Sequence, residues 1–571
     1  MLKNSVYYWL AGIVVIAGIL RFYQLGVNPP SLTWDEAAWG YNAYSLSVSG
    51  RDEFGKFLPL AYLESFGDFK PPLYAYASVI PVLLFGLTPF ATRFASAFFG
   101  TVTVAVVYWL VSELLETDAH KTDKTNRTDM MGLVASALLA ISPWHINLSR
   151  AAFEANVVSF FIITGVWLYL RWTRKPSTVL LIFSGVSFVL SLYTFNTARI
   201  VAPLLIIVLS ARFYKILLAH AVSVAVAGIL CVVLSLPFIM FSMTPQAKLR
   251  YHEVNIFSDG SIVENANTSM ARSARWVCKI SGESTCSTKT ALDAPIWARI
   301  MYNRRIGYVR AYVKHYFDHF NPSFLFIKGD GNPKFSTQDV GQLYLVCAPF
   351  IIVGLFQLFK KRIGHWWLVP VWLVIGIVPA ATARETPHAL RIETTLPTFQ
   401  IISAYGIVYL YRTVDRLKRV LVTRAFVGIA LCAYAGMAVY YLHGYYVHYP
   451  VEYSGEWQYG YEEAIGFLKN NPSYKHVVMT TALGRPYIYV LFYTQTDPRL
   501  FQQTAVVERE VLGFVHVRSF GTYTFADAPA EVHPSGKTVY IDIPQYVPEK
   551  AIVLRIFTLL NGHPVLVAYE I

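Results

Sequence analysis

The sequence predicts an α-helical polytopic membrane protein with about eleven transmembrane helices and a small extracytoplasmic α/β domain at its C-terminus. Three observations predict this. Apolar residues fall in runs of about 18–22, the length a helix needs to cross the hydrocarbon core. Of 571 residues, 55% are hydrophobic and only 15% charged, too few charges to cover a soluble surface of this size. Finally, Lys and Arg gather in alternate loops, as they do when cytoplasmic loops retain them.

The apolar runs cover 5–24, 94–112, 131–149, 155–171, 178–196, 200–217, 220–243, 340–359, 365–382, 394–411 and 424–443. Inside lipid each must satisfy its own backbone groups, so each is expected to be helical. The first run follows Lys3 with no small-residue cleavage site after it, which reads as a retained span. Segment 71–88 is short and broken by proline, and fits a helix at the interface or leading into the second span.

The basic loops hold Lys121, Lys124 and Arg127, then Arg171, Arg174 and Lys175, then Arg212 and Lys215, with Lys360–Arg362 and Arg412–Arg424 later. These and the N-terminus are assigned to the cytoplasm of a plasma-membrane protein. An odd span count then puts the C-terminal domain outside. The net charge of +13 is accounted for by topology, and no nucleic-acid partner is expected.

The expected division is a transmembrane domain over 1–446 and an extracytoplasmic α/β domain over 447–571. In the latter EEAIGFLKN has helical periodicity, whereas HVVMTT, KTVYIDI and PVLVAYE read as strands. A first outer loop (25–93, with interfacial helices) and a long one (244–339) share its side of the membrane. The five cysteines include no CxxC pair, which argues against a zinc module. Cys278 and Cys286 share the long loop and could pair if it lies outside the cytoplasm.

The first outer loop contains SLTWDEAAWGYNAYSL, in which Asp35 and Glu36 are flanked by Trp34, Trp39, Tyr41 and Tyr44. Aromatic faces can stack on sugar rings and a carboxylate can take a proton from an attacking hydroxyl. An interfacial aromatic belt with a solvated acidic pair gives the same pattern. In FGDFKPPLYAY, Lys70 precedes two prolines that rigidify a membrane-entering helix. Such a lysine can snorkel to headgroups or hold the phosphate of one lipid substrate.

WDEAAWGYNAYSL, FKPPLYAY, TPFATRFASAFFG and SPWHINLSRAAFEAN, in that order, resemble the N-terminal half of glycosyltransferase family 39. That family belongs to the GT-C membrane glycosyltransferases and includes relatives of protein O-mannosyltransferases and lipid A aminoarabinose transferases. The resemblance covers roughly residues 1–240, and is looser for FNPSFLFIKGDGNPKFS, ARETPHALR and YHYPVEYSGEWQYGYEEA. It implies transfer of a sugar from a polyprenyl-phosphate carrier to an extracytoplasmic acceptor (protein, lipid or envelope glycan), usually with inversion. It also implies that Asp35 is the catalytic carboxylate, that Glu36 completes an Asp-Glu pattern, and that Lys70 is the basic residue of the lysine-proline motif. Relatives often carry an acid directly before that lysine, where this chain has Phe69 and, one further back, Asp68.

The chemistry agrees with that implication. A leaving lipid phosphate needs fixed cations, and arginine offers it paired donors. Arg93, Arg150, Arg199, Arg384 and Arg391 all fall near outer ends of predicted spans. Tyr193, Asn196 and Arg199 in YTFNTAR can meet sugar hydroxyls or phosphate, or simply cap a helix. Arg384, Glu385, His388 and Arg391 are either a functional cluster or an internally paired turn. A divalent cation (Mg or Mn) could assist Asp35, although no metal ligands stand out. His315 and His319 have a spacing that could chelate, but fit an interfacial aromatic helix better.

A lipid-linked donor removes the need for a sugar-nucleotide domain, and the chain has no glycine-rich phosphate loop. A transporter or flippase for a lipid-linked sugar would place ionisable residues at the bilayer midplane, whereas here they collect at span ends. A non-catalytic glycolipid binder is the third alternative.

Overall fold

The computed structural model describes residues 2–115, 122–510 and 515–571. Lys121, counted above with the first basic loop, lies outside them.

The helical part begins with α1 (Leu2–Phe22), α2 (Trp34–Ser49) and a hairpin of β1 (Leu63–Ser65) and β2 (Asp68–Lys70), paired antiparallel as Leu63↔Lys70. Next come α3 (Leu73–Phe85), α4 (Pro89–Leu115), α5 (Thr122–Ala140), α6 (Pro143–Ser149) and α7 (Glu154–Arg174). They are followed by α8 (Thr178–Leu192), α9 (Ala198–Arg212), α10 (Tyr214–Ala219) and α11 (Ala221–Ser242). The long loop folds into α12 (Gln246–Val254), α13 (Gly260–Ile280), α14 (Ile296–Met301) and α15 (Arg304–Asp318), with Cys278 and Cys286 joined by a disulfide. Four helices close this part: α16 (Cys347–Lys361), α17 (Leu368–Ile377), α18 (Thr398–Asp415) and α19 (Val420–His443).

Every predicted apolar run overlaps a helix, but not every one is a full span. Among the described residues five helical stretches are long and apolar enough to cross a bilayer. They are Ser5–Phe22, α4, α7, α11 and Val420–Glu452. The run 131–149 is a bent pair, with Thr128–Ala140 and Pro143–Ser149 turned by 57°. The cause is Pro143, which has no N–H to continue the ladder and holds Ser142 extended (ψ 124°). Counting the pair as one span gives six; the other runs lie on helices that fall short of that test, α8 (15 residues) and α17 (10 residues) by their length. Segment 71–88 is the short α3, with Pro81 inside it.

Gly354 of α16 and Gly406 of α18 let those backbones touch, because a Cβ on Gly354 would lie 1.9 Å from the Ile402 carbonyl oxygen.

The C-terminal part holds α20 (Tyr449–Glu452), α21 (Tyr461–Asn470), β3 (His476–Thr480), α22 (Pro486–Thr494) and α23 (Pro498–Thr504). Then come β4 (Val506–Arg509), β5 (Val515–Phe520), β6 (Tyr523–Ala526), β7 (Thr538–Asp542), β8 (Ile552–Thr558) and β9 (Pro564–Glu570). The seven strands order as β4-β5-β6-β3-β7-β9-β8, with β3 parallel to β6 and β7 and the outer pairs antiparallel. The predicted helix is α21 and the three predicted strands are β3, β7 and β9. This sheet does not stand apart from the helices. Leu32, Ala37 and Tyr41 around α2 share one buried cluster with Ile465, Tyr487, Ile488 and Ile541.

Candidate active site

Helix α2 starts at Thr33, whose side chain accepts from the Glu36 N–H while the Glu36 carboxylate accepts from the Thr33 N–H, a reciprocal cap. A Cβ on Gly40 would sit 2.4 Å from Thr92 Oγ1 and 2.6 Å from Phe492 Cε2, so α2 is wedged between α4 and α22.

Glu36 points inward from this helix. Its Oε1 accepts from Arg93 Nε (2.9 Å) and the Ala152 N–H (2.9 Å), and Oε2 accepts from Arg93 Nη2 (3.2 Å). Arg93 also donates to the carbonyls of Leu25, Pro29 and Ser31. Both side chains are fully buried. Two expectations are corrected here. Glu36 has no exposed oxygen for catalysis, and the donors of Arg93 are turned onto the protein rather than toward a lipid phosphate.

Asp35, one residue earlier, points outward. Its side chain is 51% exposed and forms an ion pair with Lys70, the last residue of β2. The Lys70 ammonium lies 5.3 Å from the Trp39 ring centroid and 5.2 Å from that of Phe66. Burial alone would lower its pKa, but Asp35, Asp68 and Glu154 outweigh that and hold it above the ordinary lysine value. Arg199 stacks over Phe238 at 4.8 Å and feels the Asp68 carboxylate. The structure therefore gathers Asp35, Asp68, Glu154, Lys70 and Arg199.

Glu154 was missed from sequence, although it lies in the SPWHINLSRAAFEAN segment that carries the resemblance. The fully buried Glu393, at the end of TARETPHALRIE, was also missed. Burial, and then the nearby Glu154, raises its pKa well above the ordinary carboxylate range.

Several other expected ligands are used structurally. Arg150 is fully buried and donates to the carbonyls of Leu20, Arg21 and Asn28 and to Tyr445 Oη. Tyr41 is fully buried, with its hydroxyl on the Thr496 carbonyl, so it offers no face to a sugar. The Tyr193 hydroxyl donates to the Leu234 carbonyl (2.7 Å) and accepts from the Phe238 N–H, tying α8 to α11. Arg384 donates to the Asn255 and Ser258 carbonyls of the long loop, which takes it away from a phosphate role. In each case backbone carbonyls or a neighbouring helix occupy the polar group.

Asn196 is exposed in the turn before α9. Trp34 is half-buried, its N–H bonded to Gln458 Oε1 and its ring facing the Lys334 ammonium at 5.5 Å. His388 is buried, 4.0 Å from Asp330 Oδ2 and 4.8 Å from the Phe335 ring centroid. Burial, then Arg391 and His319, push its pKa well below the usual range, so this imidazole is neutral. Burial raises Asp330 to about 6. Arg391 donates to the Glu385 carbonyl and acts on both groups.

Phe335 joins this second cluster to the first, since its ring lies 5.4 Å from that of Phe153, the neighbour of Glu154. His315 and His319 hold backbone carbonyls through Nδ1 (Ala383 and His315). Among the described residues no group of three or more His, Cys, Asp or Glu is placed to hold a metal ion.

Residues 12–248 match the family model described as dolichyl-phosphate-mannose-protein mannosyltransferase. The fold is similar to that of ArnT from Cupriavidus metallidurans in the apo state, at TM-score 0.54 and 11% identity over 99% of this chain and 98% of that one. The same enzyme bound to undecaprenyl phosphate matches at TM-score 0.51 and 12% identity, over 100% and 98% of the two chains. The Archaeoglobus fulgidus oligosaccharyltransferase tethered with an acceptor peptide matches at TM-score 0.47 and 12% identity, over 86% and 63%. No curated protein matches the chain. The chain thus shares one family match, over residues 12–248, with a mannosyltransferase family, and over almost its whole length its fold is similar to that of ArnT.

Proposed function

We propose that the chain transfers a sugar from a polyprenyl-phosphate donor to an extracytoplasmic acceptor, with inversion and with Asp35 as the base. The observation that carries this reading is the contrast at the start of α2. Asp35 is half-exposed beside Lys70, whereas Glu36 next to it is buried against Arg93. One carboxylate is half-exposed and paired with a lysine, and the other anchors the helix that presents it.

In the proposed reaction an acceptor oxygen attacks the anomeric carbon as the bond from that carbon to the phosphate oxygen breaks. The acceptor proton passes to Asp35. The charge that grows on the lipid phosphate in an oxocarbenium-like transition state is met by Lys70 and Arg199. Without donor, Lys70 is paired to Asp35. An incoming phosphate competes for that ammonium and frees the base as the donor binds. Trp34, Asn196, His388 and Arg391 are assigned to substrate contact. The proposed topology has the first outer loop and the C-terminal sheet outside the cytoplasm and the N-terminus inside.

The supporting assay measures transfer from polyprenyl-phosphate sugars by the chain in lipid nanodiscs, together with mass spectrometry of envelope glycans with and without the gene. A chain that moves lipid-linked sugar across the bilayer but forms no new glycosidic bond would overturn the reading in favour of a transporter.

A further inference from the structure

The segment α13–α15 has a surface unlike that of an ordinary outer domain. Leu292 and Ile296 are 84% and 77% exposed, and Trp276, Ile280, Ile300 and Phe317 are each at least 60% exposed. Those values match the lipid-facing side of the membrane helix α11, where Val222 is 80% and Ile229 66% exposed. Charge is interleaved with this apolar face. Residues 260–318 hold nine Lys and Arg against four Asp and Glu, a surplus of five positive charges. An open groove lined by Phe257, Arg305, Tyr308, Val309 and Tyr312 adds an apolar floor with a guanidinium at its rim.

The attachment of α15 sets its depth. The Tyr316 hydroxyl donates to the Val374 carbonyl and the Tyr312 hydroxyl to the Val378 carbonyl, one turn apart along the outer end of α17. Val374 is itself 52% exposed on that apolar helix. The C-terminal half of α15 therefore lies alongside the last turns of a membrane helix rather than above them.

We infer that α13–α15 lies in the headgroup layer at the outer ends of α11 and α17, docked on anionic phospholipid. Apolar side chains of this kind enter the headgroup and acyl boundary, while Arg and Lys meet the lipid phosphates. Each cation near such a surface favours anionic lipid by about fivefold. The inference rests on the membrane fold and not on the proposed transfer reaction.

The test places the photo-crosslinker benzoylphenylalanine at Ile296 or, separately, at Phe317 in the full chain. The protein is set in nanodiscs of phosphatidylcholine with about one-third phosphatidylglycerol, a composition chosen to leave room for enrichment. Adducts are then identified by mass. Lipid adducts at both positions are expected, with the phosphatidylglycerol-to-phosphatidylcholine ratio of the adducts at least threefold above that of the bulk lipid, and none at the exposed Glu549 of the C-terminal domain. Combining R304Q, R305Q and R310Q should return the adducts toward the bulk lipid ratio while crosslinking continues. Absence of lipid adducts, a crosslinked dimer in their place, or a bulk lipid ratio in the parent would each overturn the inference.

Discussion

Replacing Asp35 by Asn keeps the size of the side chain and most of its hydrogen bonding but removes the charge that accepts a proton. General-base catalysis is worth about 10²–10⁴-fold, so the variant should lose about 3–5 kcal/mol of transition-state stabilisation. The cost to folding should be small. Asp35 is half-exposed, and ion pairs of that kind contribute about 0.2–1 kcal/mol. Lys70 also retains Asp68 and Glu154 nearby. The neighbouring carboxylate should behave in the opposite way. Glu36→Gln removes the charge facing a fully buried Arg93, and breaking such a pair typically costs about 3–5 kcal/mol of stability.

The two variants are thus separated by assay. In a transfer assay with lipid-linked donors, Asp35→Asn should yield normal amounts of folded protein with turnover lowered at least a hundredfold. Glu36→Gln should yield little folded protein, with near-parental turnover per folded molecule. Turnover by Asp35→Asn within a few-fold of the parent would refute the assignment. So would a Glu36→Gln protein that is stable yet inactive, because that would make the buried residue the base.

Lys70→Met should raise the donor KM and slow turnover while membrane insertion stays intact, measured by donor titration. Burial lifts the Glu53 carboxyl from 4.5 to about 8, so its proton binding favours the folded state below about pH 4.5, and that contribution is lost as pH rises toward 8. Glu53→Gln should therefore match the parent in melting temperature near pH 4 and exceed it near pH 8–9; a parent that gains stability over that range relative to the variant would refute the shift. Gly40→Val should destabilise the protein by about 1–3 kcal/mol through the close approach of α4 and α22, read by thermal unfolding in detergent. A reporter fused after Lys175 should be cytoplasmic and one at the C-terminus external, and a cytoplasmic C-terminal signal would overturn the proposed topology.

Much of this molecule can be read before its coordinates are seen. Hydropathy located the helices, strand periodicity located β3, β7 and β9, and the motifs pointed to Asp35 and Lys70 together. Azimuth was much harder to read. Asp35 and Glu36 are chemically alike and adjacent, and only the roughly 100° between successive helix positions sends one outward and the other into the core. Arg93 and Arg150 were read as phosphate ligands because sequence gives depth along a span. It does not show that the carbonyls of Leu25, Pro29, Leu20 and Asn28 wait for their guanidinium groups. Glu154 was hidden because a single acid at a helix N-terminus is also an ordinary favourable partner for the helix dipole. The bend between α5 and α6 was legible in Pro143, but the uninterrupted apolar run outweighed it.

The buried cluster shared by α2 and the C-terminal sheet has a consequence for how the protein is made. Residues near 37 and 41 are synthesised well before the side chains that enclose them, from Ile465 to Ile541. Trp34 similarly waits for Gln458 to satisfy its N–H. The proposed base thus sits on a helix that is fully seated only once residues 461–568 have folded against it. A chain cut before Ile465 would lack these side chains, leaving the apolar face around Ala37 and Tyr41 without the partners that bury it.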